Sequence, residues 1–64
     1  MKLPTDAEIE RLAAEHYATA NDHGGSDANH KALVYEFHHD LNTAKRRAYI
    51  FATRELVRRL LASK

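Results

Sequence analysis

The 64-residue chain has no cysteine and no tryptophan, a single proline and only two glycines. Without cysteine there can be no disulfide and no thiolate zinc site. The loss matters at this length, because a core this small buries only about 60% of the surface that the unfolded chain exposes. Domains of this size add a disulfide, a metal or self-association. With the first excluded, there remain oligomerisation, a partner, or a metal site built from histidine and carboxylate. The two glycines stand together as Gly24-Gly25, which leaves no glycine-rich phosphate loop.

Long apolar runs are also missing. Nothing approaches the roughly 18 residues that span a bilayer, and the first residues lack the charged-then-apolar layout of a signal peptide. A soluble, cytoplasmic protein without a membrane role is expected. No stretch alternates apolar and polar residues with β-branched enrichment, so no strand is expected. Serine is confined to Ser26, in the glycine turn, and Ser63. Hydrolytic catalysis has no evident nucleophile, and a chain this short leaves little room for a pocket of the usual volume. The expectation is a non-enzymatic protein with no cofactor.

What is present is alanine and charge. Hydrophobic residues make up 44% of the chain, and eleven of them are alanine, a composition that favours closely approaching helices over a sheet. The net charge of +1 hides an asymmetry. Residues 1–32 hold three cations against six carboxylates, a net of −3; residues 33–64 hold seven against three, a net of +4.

Thr5 with Glu8 three residues later reads as a capping box, opening a helix over about 5–22. Ile9, Leu12, Ala13, His16, Tyr17 and Ala20 form one apolar stripe on it. Gly24-Gly25 supplies the left-handed residue expected to end it. A second helix, about 27–41, starts at Ser26 or Asp27 and aligns Leu33, Val34, Phe37 and Leu41. Beyond it, Tyr49, Ile50, Thr53, Leu56, Val57, Leu60 and Leu61 define a stripe turned by roughly 120° from the one through Val34, Phe37, Leu41, Ala44, Ala48 and Phe51. One straight helix cannot bury both stripes against one neighbour. Either the chain breaks near Leu41 to Thr43, with Asn42 or Thr43 capping a third helix over about 43–62, or it stays whole and its end meets another surface. The break is the favoured expectation. The fold class expected is all-α, two or three helices in a helical hairpin, completed as a dimeric bundle through Tyr49, Ile50, Leu56, Val57, Leu60 and Leu61.

Five histidines are a dense allotment. Glu36 and His39 have the Glu-x-x-His spacing of carboxylate-bridged di-iron bundles, with Glu15 as a candidate third ligand. A His/Glu metal-binding bundle is a second alternative; the primary expectation assigns no metal. The basic run carries more information. On a helix Arg47, Arg54 and Arg58 share an arc with Phe51, a grouping suited to an acidic protein partner or to phosphate and groove contacts. The leading expectation is a small regulatory or adaptor protein, homo-oligomeric and acting through protein contacts at Arg47, Phe51, Arg54 and Arg58. A nucleic-acid-binding regulator using the same basic helix is the alternative.

Overall fold

Thr5 opens the first helix as its N-cap. Its hydroxyl accepts the Glu8 amide at 3.2 Å, while the Glu8 carboxylate accepts the Thr5 amide at 3.1 Å. The Thr5 backbone amide, then the Thr5 hydroxyl, hold the Glu8 carboxyl below its ordinary pKa. In this computed structural model, which describes residues 4–63, three helices follow one another: α1 (Asp6–Asn21), α2 (Asp27–His39) and α3 (Thr43–Ala62). The architecture is all-α, a helical bundle with no strand among the described residues.

The turn after α1 depends more on aspartate than on glycine. α1 ends at Asn21, and Asp22 leaves the helix in an extended conformation. The Asp22 Oδ1 then accepts the amides of Gly24 and Gly25 at 3.1 and 2.8 Å and the Asn29 side-chain amide at 2.7 Å. Asn29, first among these donors, lowers the Asp22 pKa. Gly25, at φ +69°, provides the left-handed residue three positions beyond Asp22, and glycine takes that conformation without steric cost. Ser26 caps α2 by accepting the Asn29 amide at 3.1 Å.

The junction between α2 and α3 contains neither glycine nor proline, yet the helix breaks there. The amides of Asp40 and Leu41 both turn onto the Glu36 carbonyl, at 2.8 and 2.7 Å, and Asn42 starts α3 by accepting the Ala44 amide at 2.8 Å. Arg46 secures the break. Its Nε donates to the Phe37 carbonyl at 2.9 Å and its Nη2 to the Leu41 carbonyl at 3.0 Å. Carbonyls at a helix C-terminus lack intrahelical donors and carry the negative end of the dipole, so a guanidinium from the next helix satisfies both needs.

α1 is the hub: both other helices pack on it, and they meet each other only marginally. α3 runs antiparallel to α1, since Asp6 lies near Arg54 while His16 lies edge-on to Tyr49. Ile9, Ala13, Ala14, Tyr17 and Ala18 are buried on α1, whereas Leu12, His16 and Ala20 are exposed. The expected stripe is therefore corrected by a rotation of roughly 80° at 100° per residue. Two neighbours demand a broad buried arc, and Ala14 and Ala18 extend it because their small side chains let a backbone approach.

The core joins Ala13, Ala14 and Tyr17 to Phe37, with Leu33, Val34, Leu41, Tyr49 and Ile50 packed around them. The rings of Tyr17 and Tyr49 meet edge to face at 5.3 Å, and Phe37 lies 5.7 Å from Tyr17 and 6.3 Å from Tyr49. Such geometry adds about 0.5–1.5 kcal/mol per pair beyond burial.

Thr53 is the one polar residue in the buried set of α3, and its hydroxyl has no hydrogen-bond partner among the described residues. An unsatisfied buried hydroxyl costs about 1–3 kcal/mol. Thr53→Val keeps the β-branched shape and removes that cost, so thermal unfolding followed by circular dichroism is expected to show a gain of about 1 kcal/mol, or roughly 4–8 °C in midpoint for a domain of this size. A lower midpoint would show that the hydroxyl is in fact satisfied.

Candidate interaction surface

Four residues of α3, Arg47, Phe51, Arg54 and Arg58, follow one another at steps of four, three and four, so they share one side of the helix. All four are exposed, and Phe51 leaves 62% of its surface open. The core uses a different flank of α3, turned by roughly 120° at 100° per residue, where Arg46, Tyr49, Ile50 and Thr53 face inward. The arrangement is therefore an exposed phenylalanine on the same side of α3 as three exposed arginines, two of which, Arg54 and Arg58, also border the edge of α1.

Among the described residues, only Arg54 of the three forms an ion pair. Its Nη2 lies 3.5 Å from the Asp6 carboxylate, whose side chain is almost fully exposed. A surface pair of this length contributes little. Beside it, Pro4, Asp6, Ile9, Val57 and Arg58 border a cleft of about 210 Å³, below the roughly 300–1,000 Å³ of small-molecule sites.

The apolar stripe of α3 is divided. Tyr49 and Ile50 pack on the chain's own core and Val57 is half-buried beside α1, so these three do not form a free face. Leu56 and Leu60 remain 52% and 58% exposed, and Leu61 is half-buried. Leu12 of α1, expected in the core, is 46% exposed. It faces Leu56 across an open groove of about 350 Å³ that Glu15, His16, Thr19, Thr53 and Val57 complete.

The histidines and carboxylates are dispersed in pairs. Glu36 accepts the Tyr17 hydroxyl, His30 bonds Glu15 at 2.5 Å, and His38 lies 3.6 Å from Glu10. His39 stacks on Tyr35 at 4.2 Å. Glu36, His39 and Glu15 are thus engaged with different partners, and no three histidine or acidic groups converge as ligands among the described residues. Among the described residues the Tyr17 hydroxyl is the one strongly perturbed group: its hydrogen bond to Glu36, with burial second, raises its pKa to about 12.

Two features escaped sequence reasoning. In the sequence Arg46 only borders the apolar stripe of the basic run, and the helix break beside it is the one signal of a capping role. The Leu12–Leu56 groove was hidden because Leu12 fits the apolar periodicity; the alanines at positions 14 and 18 were the signal that α1 turns another face inward. None of the described helices is long and apolar enough to cross a membrane. The chain matches no protein-family model, and comparison with curated proteins and with solved structures finds no match.

Proposed function

We propose that this is a small, non-enzymatic regulatory or adaptor protein of the cytoplasm, working as a homo-oligomer and binding an acidic protein segment through the arginine-ringed face of α3. The observation that carries the reading is the exposure of Phe51 amid Arg47, Arg54 and Arg58. Aromatic and arginine residues dominate the energetics of protein interfaces, and a ring surrounded by charge can anchor while the rim selects an acidic partner.

A labelled acidic peptide carrying one aromatic residue provides the probe, read by fluorescence anisotropy. Arg47, Arg54 and Arg58 replaced together by alanine are expected to leave helicity nearly unchanged, since exposed charges alter stability by only about 0.5 kcal/mol each. Binding should fall at least tenfold, and Phe51→Ala should do the same. Unchanged peptide binding in both variants would refute the reading.

The second reading, nucleic-acid binding, draws on the charge of α3, which carries six cations against one carboxylate. It requires tighter binding to duplex DNA than to the peptide, a steep loss with salt, and little effect of Phe51→Ala.

A further inference from the structure

We infer that the groove between α1 and α3 seats a second copy of this chain, with the two-fold axis parallel to the helices so that α1 of each copy lies against α3 of the other. The inference rests on the homo-oligomeric reading above and specifies its surface and geometry. The groove is apolar at its centre, where Leu12 and Leu56 stay about half exposed and Leu60 continues the same side of α3 one turn on. The chain's own buried apolar set is small: Ile9, Ala13, Ala14, Tyr17, Ala18 and Phe37, three of them alanine. A stable interface needs about 800 Å² per partner, roughly a sixth of the 4960 Å² that the chain exposes. Two pairs of antiparallel helices stacked face to face form a four-helix bundle, a geometry in which the core is completed by the facing helices.

Charge selects the occupant and its orientation. α1 carries four carboxylates against one arginine, a net of −3, while α3 carries six cations against one carboxylate, a net of +5. By helical period Glu8, four residues before Leu12, shares its side of α1, and Arg59, three residues after Leu56, shares its side of α3; both are exposed, just beyond the residues that line the groove. Because α1 and α3 are antiparallel, Glu8 and Arg59 lie at nearly the same height along the bundle. A two-fold axis parallel to the helices sets Glu8 of one copy opposite Arg59 of the other, twice. An axis perpendicular to them would stack α1 on α1 and α3 on α3, placing like charges together on both seams, which disfavours association.

Sedimentation equilibrium across about 1–100 µM, a range bracketing ordinary dimer affinities, tests the assignment, with circular dichroism confirming that each variant is folded. Wild type is expected to dimerise. Leu56→Asp, at a half-exposed position that the single chain tolerates, should give a folded monomer. Arg59→Glu should weaken the dimer at least tenfold, and adding Glu8→Lys in the same chain should restore it. A wild type that stays monomeric overturns both the homo-oligomeric reading and this inference. A dimer indifferent to Leu56→Asp overturns the groove alone and leaves the homo-oligomeric reading standing. A dimer that Arg59→Glu tightens or leaves unchanged overturns the charge-matched arrangement. Because Glu8 also belongs to the cap of α1, Glu8→Gln, which retains an acceptor for the capping box, separates a capping defect from a charge effect: under the assignment it weakens the dimer while helicity holds.

Discussion

Replacing Phe37 with alanine is expected to leave most of the protein unfolded at room temperature. Phe37 is the largest fully buried side chain, and its ring lies against Tyr17, Tyr49 and His38. Truncating a buried phenylalanine costs about 3–5 kcal/mol through lost transfer energy and the cavity left behind. At about 0.05–0.15 kcal/mol per residue, a domain of this length has a total stability of only roughly 3–10 kcal/mol. The surrounding shell has little means of collapsing into the space, because two of its three buried α1 members, Ala13 and Ala14, are too short to fill it and the third, Tyr17, is tied to Glu36. Urea unfolding followed at 222 nm should show a midpoint near zero denaturant or no transition at all. Phe37→Leu, which keeps most of the volume, should remain folded. An alanine variant as stable as wild type would mean that α2 is not held by this ring.

The second large effect is expected at Tyr17, whose hydroxyl donates to Glu36 from a position buried between all three helices. Tyr17→Phe removes the donor and leaves the half-buried Glu36 carboxylate without it. Hydrogen bonds to charged groups contribute about 1.5–3 kcal/mol, so the urea midpoint at pH 7 should fall by a corresponding amount. The same bond sets an alkaline limit. Its folded pKa of about 12 stands above the ordinary 10; a raised value gives stability that is complete below pH 10 and disappears as pH rises through 12. Wild type should therefore lose stability between those values more steeply than Tyr17→Phe, which has no proton to lose there. Glu36→Gln should shift the Tyr17 titration, read by absorbance at 295 nm, back toward 10, because the bond to Glu36 is the first cause of the rise. Parallel alkaline profiles for wild type and Tyr17→Phe would remove the hydroxyl from the balance.

Phe37 and Tyr17 also mark how the fold was legible. Local chemistry announces each helix: Thr5 and Glu8 reciprocate at one start, Ser26 and Asn42 cap the others, and the apolar positions of α2 lie on one face whatever the neighbours. These features depend on residues within four positions of each other, which is why a linear reading reaches them. The incompatible stripes through Val34 to Phe51 and through Tyr49 to Leu61 likewise required a break or a second surface, and turn residues alone would not have revealed it.

The arginine face illustrates the same reach from the other direction. Arg47, Phe51, Arg54 and Arg58 share a side by helical period alone. Their exposure, in contrast, depends on which flank of α3 meets α1, and that was fixed by contacts between residues far apart in the chain, such as Tyr17 against Tyr49.

The sequence by itself determined an all-helical chain, its capped starts, the inward face of α2 and the grouping of arginines around Phe51, because hydrogen bonding and periodicity act over a few residues. Only the tertiary structure decided that α1 serves two neighbours at once and buries Ala14 and Ala18 in place of Leu12 and His16. It also decided that Arg46 holds the end of α2, that the Tyr17 hydroxyl engages Glu36, and that Tyr49 and Ile50 belong to the chain's own core while Leu56 stays open. The physical reason is common to all of these. Which face of a helix is buried depends on how many helices surround it and how closely their backbones approach, and small side chains at the crossing set that distance more than the apolar period of any one helix.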